Sequence, residues 1–131
     1  MNILDEYIEE LKQDTLIDEF TVKDVQMKLP SIKHKWAGRL IRAKIRRNDL
    51  YRDRKKQINV LTTQLIKQSP VKLSYPVASK KVEDIDTVLE FDDKIKDVGL
   101  EIEFLEKAEK ILNSMTFDIR NITEIIKLET Q

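Results

Sequence analysis

Cysteine is missing from this 131-residue chain, which holds one histidine, two glycines, three prolines, one tryptophan, three tyrosines and four phenylalanines. Without thiols there is no disulfide framework, thiolate metal site or cysteine nucleophile, a usage that suits a reducing compartment. Gly38 and Gly99 stand alone, so no GxxxxGK[ST] loop exists to cradle a nucleotide phosphate. The lone His34 lies between Lys33 and Lys35. Their ammonium groups repel a metal cation, and one histidine supports no Ser/His/Asp grouping. Asp92-Asp93 and Glu101/Glu103 read as solvated helix surface rather than ligands for a hard cation. Scarce glycine and proline argue against a turn-rich β protein. No apolar run approaches the ~20 residues of a membrane span. The opening residues Met1–Asp14 are acidic and amphipathic, unlike a secretory leader. These features lead us to expect a soluble cytosolic helical protein, not an enzyme, with no cofactor and no metal.

Charge is abundant, and it is unevenly placed. Charged residues make up 37% of the chain, and the formal net charge is zero. Residues 33–56 nevertheless carry eleven Lys or Arg against two acids, a net +9. Residues 57–82 add four lysines and no acid, whereas residues 1–32 are net −5 and residues 83–131 net −8. Charge of one sign gathered on one element attracts a polyanion better than the same charge dispersed.

Periodicity predicts an all-α fold. Ile3, Leu4, Tyr7, Ile8 and Leu11 form the apolar side of a first helix over Asn2–Lys12. Thr21 is placed to cap a second short helix through Lys28, which Pro30 is expected to end. A long helix then runs from about Ser31 to about Lys67. Ile32, Trp36, Leu40, Ala43, Leu50, Tyr51, Ile58, Leu61 and Leu65 share one sector of it, while Lys35, Arg39, Arg42 and Arg46 line another. Ser69–Ser79, with two prolines and three serines, reads as a loop. From Val82 the apolar residues step by threes and fours in a nearly coiled-coil pattern that slips around Leu105 and Ala108. Asn113–Thr116 is a candidate break between two C-terminal helices. The chain therefore reads as a single helical domain over 1–131: acidic N-terminal helices (1–30), the long basic helix (31–68), a Pro-containing loop (69–81) and acidic C-terminal helices (82–131).

Two readings of the basic helix compete. It is either an exposed face neutralised by the acidic helices of the protein, or a polyanion site. A solvated helix face ordinarily mixes signs at i,i+4, and only Asp49 and Asp53 are available within the stretch. Single-stranded nucleic acid suits it better than duplex, since no helix-turn-helix or zinc module is present. The candidate phosphate partners are Lys33, Lys35, Arg39, Arg42, Lys44, Arg46, Arg47, Arg54, Lys55 and Lys56. Trp36 and Tyr51 are aromatics within the stretch that can stack bases or fill a core, with Trp36 retained as a binding candidate. The C-terminal seam of Val88, Phe91, Ile95, Val98, Ile102, Leu105, Leu112, Met115, Ile119, Ile122 and Ile126 is expected to join copies of the chain. A ring would repeat the basic helix and multiply weak contacts.

Several short pieces resemble the UvsY recombination mediators of T-even-like phages. They are Leu4-Asp5, Glu9-Glu10-Leu11-Lys12, Asp14 and Ile17-Asp18 at the start, then Lys35-Trp36 at the head of the basic helix. Tyr75-Pro76, Asp84-Ile85-Asp86, Leu89 and Asp92-Asp93 follow, with Phe117, Ile119, Arg120 and Ile122 near the end. Two features depart from the family: Asn59-Val60-Leu61-Thr62 stands where its basic–x–basic pair precedes Tyr-Tyr, and Thr116 replaces a glycine. The resemblance implies a ring-shaped homo-oligomer, hexameric or heptameric, that binds single-stranded DNA. It also implies a role in recombination and DNA repair, loading a RecA-like recombinase onto strands covered by the phage single-strand-binding protein, in the cytoplasm of the infected host cell. The competing expectation is a coiled-coil scaffold whose basic helix is neutralised internally.

Overall fold

The computed structural model describes residues 2–131 and contains four helices in chain order: α1 (Ile3–Asp14), α2 (Val22–Gln68), α3 (Tyr75–Val82) and α4 (Asp86–Glu129). No strand occurs among the described residues. Local chemistry sets the start of α1. The Asn2 side chain accepts the Asp5 N–H at 2.9 Å, and Asp5 and Glu6 meet the positive end of the helix dipole. At the other end, the Thr15 hydroxyl donates to the Leu11 carbonyl at 2.8 Å.

The entry to α2 is closed by two side chains acting reciprocally. Asp18 Oδ1 accepts the N–H groups of Phe20 and Thr21, and Thr21 Oγ1 accepts the Asp18 N–H at 3.1 Å. Thr21 is therefore half of a pair rather than a lone cap. The expected stop at Pro30 does not occur, because α2 continues through it for 47 residues in all. An interior proline costs about 3 kcal/mol through its missing N–H and its ring. Nearby, Leu29 and Trp36 are both buried, and burying one such side chain contributes about 1.5–3 kcal/mol. Packing therefore offsets the local breaker.

The region read as one loop over 69–81 also differs. Only Ser69–Ser74 is non-helical, and Tyr75–Val82 forms α3. Ser74 occupies the N-cap position, and Pro76 falls in the first turn, where a missing N–H leaves nothing unsatisfied. Ala78 and Val82, one turn apart, are both buried. Helix α4 passes through Asn113–Thr116 without interruption, and Leu105 and Ala108, at the slip in the apolar pattern, are fully buried.

The chain divides into two compact units, one of residues up to Arg42 with Glu101–Gln131, the other Ala43–Leu100. In the first, the buried apolar residues are Leu11 of α1, Leu29, Trp36 and Leu40 of α2, and Ile102, Leu105, Ala108, Leu112, Met115 and Ile119 of α4. In the second, Ile58, Val82 and Val88 form a core against which Leu61 and Leu65 pack. The Tyr75 hydroxyl donates to Asn59 Oδ1 and ties α3 to α2 there.

This packing corrects the expected subunit seam. Val88, Ile102, Leu105, Leu112, Met115 and Ile119 are buried within the chain itself, so they have no surface left for another copy. Phe91, Ile95, Val98, Ile122 and Ile126 are half-buried. The large apolar side chains left exposed are different ones, among them Phe20, Met27, Phe117 and Leu128.

Candidate nucleic-acid interface

In the first unit, acidic α1 lies against the head of basic α2. Tyr7, Glu10, Leu11 and Asp14 share one face of α1 by their i, i+3, i+4, i+7 spacing. Asp14 Oδ2 accepts from Lys35 Nζ at 2.6 Å and from the Trp36 indole N–H at 2.8 Å. Glu10 takes both terminal nitrogens of Arg39 in a two-pronged pair, a geometry suited to the planar guanidinium. The same guanidinium lies between two rings, its Cζ 4.7 Å from the Tyr7 centroid and 4.8 Å from that of Trp36. Trp36 meets Tyr7 and Phe104 edge-on, at 5.6 and 6.2 Å between centroids, and retains 1% of its exposure.

Three sequence-predicted binding residues thereby acquire structural roles. Trp36 is enclosed by protein and offers no ring face to a base, which corrects its candidacy. Lys35 and Arg39 are held by carboxylates in a half-buried cluster, so they are not free phosphate partners. Elsewhere in the first unit, Lys33 and the exposed Arg42 make no ion pair among the described residues. Arg42 folds back over Gly38, with Nη1 3.4 Å from the point a Cβ would occupy there. Lys33 borders a groove of about 560 Å³ whose floor includes Leu29 and Ile119 and whose rim includes Arg120 and Lys127.

The Arg39 hydrogen bond holds the Glu10 carboxyl below its ordinary value of 4.5, and the same pairing raises Arg39. Because folded Glu10 binds its proton less readily than unfolded Glu10, the pair stabilises the fold fully above about pH 4.5 and loses that contribution as pH falls below it. Glu10 is more than a third exposed, so solvent screening limits the effect to about 1 kcal/mol or less. Thermal melts of the protein and of Glu10→Gln should therefore differ at pH 6 and converge toward pH 3. A constant gap across that range would show that this pair does not contribute to acid sensitivity.

In the second unit the basic residues are less completely matched. Arg54 Nε donates to Asp92 Oδ1 at 2.6 Å, and Arg52 approaches Asp49 and Asp53 within its own helix. Arg46 is exposed but engaged with protein. Lys44, Lys55 and Lys56 are exposed, Arg47 is half-buried, and among the described residues none of the four pairs with a carboxylate. Tyr51, which shared the apolar sector with Trp36 in the sequence, is 53% exposed. The position of its ring separates it from Trp36, and no local pattern distinguishes the two. The candidate phosphate partners left by this pairing are, taken unit by unit, Lys33 and Arg42 in the first, and Lys44, Arg47, Lys55 and Lys56 in the second.

No helix is long and apolar enough to cross a membrane among the described residues. No protein-family model matches the chain, and no curated protein matches its sequence. Among solved structures, the crystal structure of the bacteriophage T4 recombination mediator protein UvsY superposes with a TM-score of 0.80. The match covers 98% of this chain and 99% of that one, at 19% sequence identity. The fold is therefore shared over essentially the full length of both chains.

Proposed function

We propose that this protein is a recombination mediator that binds single-stranded DNA and helps load a RecA-like recombinase onto strands covered by a phage single-strand-binding protein. The observation that carries the reading is the set of unpaired cations on α2, within a fold shared with T4 UvsY. Loading of this kind needs no bond-making by the mediator. It needs a surface that holds the phosphate backbone well enough to alter which partner keeps the strand. The protein acts without a cofactor, in the cytoplasm of the infected cell.

Self-association belongs to the same reading. A hexameric or heptameric ring repeats a modest cationic site and raises avidity for a long strand. Exposed Phe20, Met27, Phe117 and Leu128 are among the apolar side chains available for contacts between copies. The scaffold alternative draws on the Lys35, Arg39 and Arg54 ion pairs, which neutralise part of the basic stretch.

A salt titration separates the two readings. Each phosphate neutralised on a single strand contributes about −0.7 to the slope of log K on log salt. Anisotropy of labelled oligo-dT should weaken along such a line, with several phosphates engaged per chain. Duplex of equal length should bind less well. Failure to bind oligo-dT even at low salt would leave the scaffold reading standing.

A further inference from the structure

Four residues of α2 in the second unit combine features found together nowhere else on that helix. Lys44, Arg47, Tyr51 and Lys55 are spaced i, i+3, i+7 and i+11, which places them within one narrow sector at 100° per residue. Tyr51 exposes 53% of its surface, and Lys44 and Lys55 are exposed on either side of it. Among the described residues none of the three cations has a carboxylate partner, although Arg54 close by has found Asp92. A helix that leaves three like charges unmatched around an exposed ring bears a repulsion that a polyanion would relieve.

We propose that Tyr51 is a base-stacking platform, with Lys44, Arg47 and Lys55 as its phosphate clamps. The inference rests on the single-strand reading above and adds base contact to it. An aromatic face accepts any base, and cations one and two turns away can reach the backbone on both sides of the stacked nucleotide. In duplex DNA the base faces are already stacked on their neighbours, so such a site favours strands whose bases are free. Trp36 cannot serve in this way because its ring is enclosed by Tyr7, Phe104 and the Arg39 guanidinium.

The test compares oligo-dT with an abasic strand of equal length, which keeps the phosphates and removes the bases. Wild-type protein should prefer oligo-dT. Tyr51→Ala should weaken oligo-dT binding by about 5- to 150-fold per stacked base, while abasic affinity changes less than about twofold. Tyr51→Phe keeps the ring and should retain the preference. Circular dichroism and sedimentation of both variants should match wild type, because the side chain is exposed. Equal losses on both strands, no loss on either, or a changed sedimentation coefficient in Tyr51→Ala would overturn the assignment. Wild-type protein that binds both strands equally well would also remove the platform and leave the phosphate-binding reading intact. Wild-type protein that binds neither strand would overturn that reading too.

Discussion

Trp36→Ala is expected to destabilise the protein by about 3–5 kcal/mol, the range for deleting a large buried aromatic. A domain of this size has a total stability of about 5–15 kcal/mol, so the variant should melt far below wild type. Several interactions disappear with the ring. These are its edge-on contacts to Tyr7 and Phe104, its face toward Arg39, and the indole hydrogen bond to Asp14. Trp36→Phe restores an aromatic ring without the N–H and should recover most of the loss, with Lys35 still bound to Asp14. Urea unfolding followed by circular dichroism reads both variants. Unchanged stability in Trp36→Ala, accompanied by weaker strand binding, would return this residue to the interface.

Replacing Lys44, Arg47, Lys55 and Lys56 together by alanine should produce the largest effect on binding. Affinity for oligo-dT is expected to fall by about a hundredfold near 0.1 M salt, with a shallower salt slope and no dependence on base sequence. Folding should survive, since none of these four is ion-paired and alanine is the strongest helix former. Relief of repulsion should leave the melting temperature unchanged or raise it. Lys35, Arg39 and Arg54 should behave in the opposite way. Their alanine variants remove one cation each from Asp14, Glu10 and Asp92, so stability falls while the folded fraction keeps its affinity. If the quadruple variant binds as tightly as wild type, the strand runs elsewhere.

Much of the fold is visible in local pattern. The apolar spacing of Ile3 to Leu11 and of Val88 to Ile126 marks α1 and α4, because a helix brings positions three and four apart onto one side. Local rules give way where longer-range packing opposes them. Pro30 has the chemistry of a helix stop, yet buried neighbours carry α2 through it. The two prolines and three serines of Ser69–Ser79 read as loop, yet Ser74 and Pro76 stand where a helix start places them, and Tyr75–Val82 is helical. The seam is apolar as its spacing predicts, but Val88, Ile102, Leu105, Leu112, Met115 and Ile119 are buried within the chain itself rather than left for a second copy.

Charge density along a helix depends on residue order alone, and helical periodicity is equally local, so the basic stretch and the all-helical character could be read directly from the chain. Which cations remain available is a different kind of property. Lys35 is neutralised from 21 residues away, Arg39 from 29 and Arg54 from 38. Whether an aromatic is core or surface is likewise set by what packs over it, and so Trp36 and Tyr51, alike in spacing, part company. Pairing and burial depend on distances in space, and folding creates those distances between residues far apart along the chain.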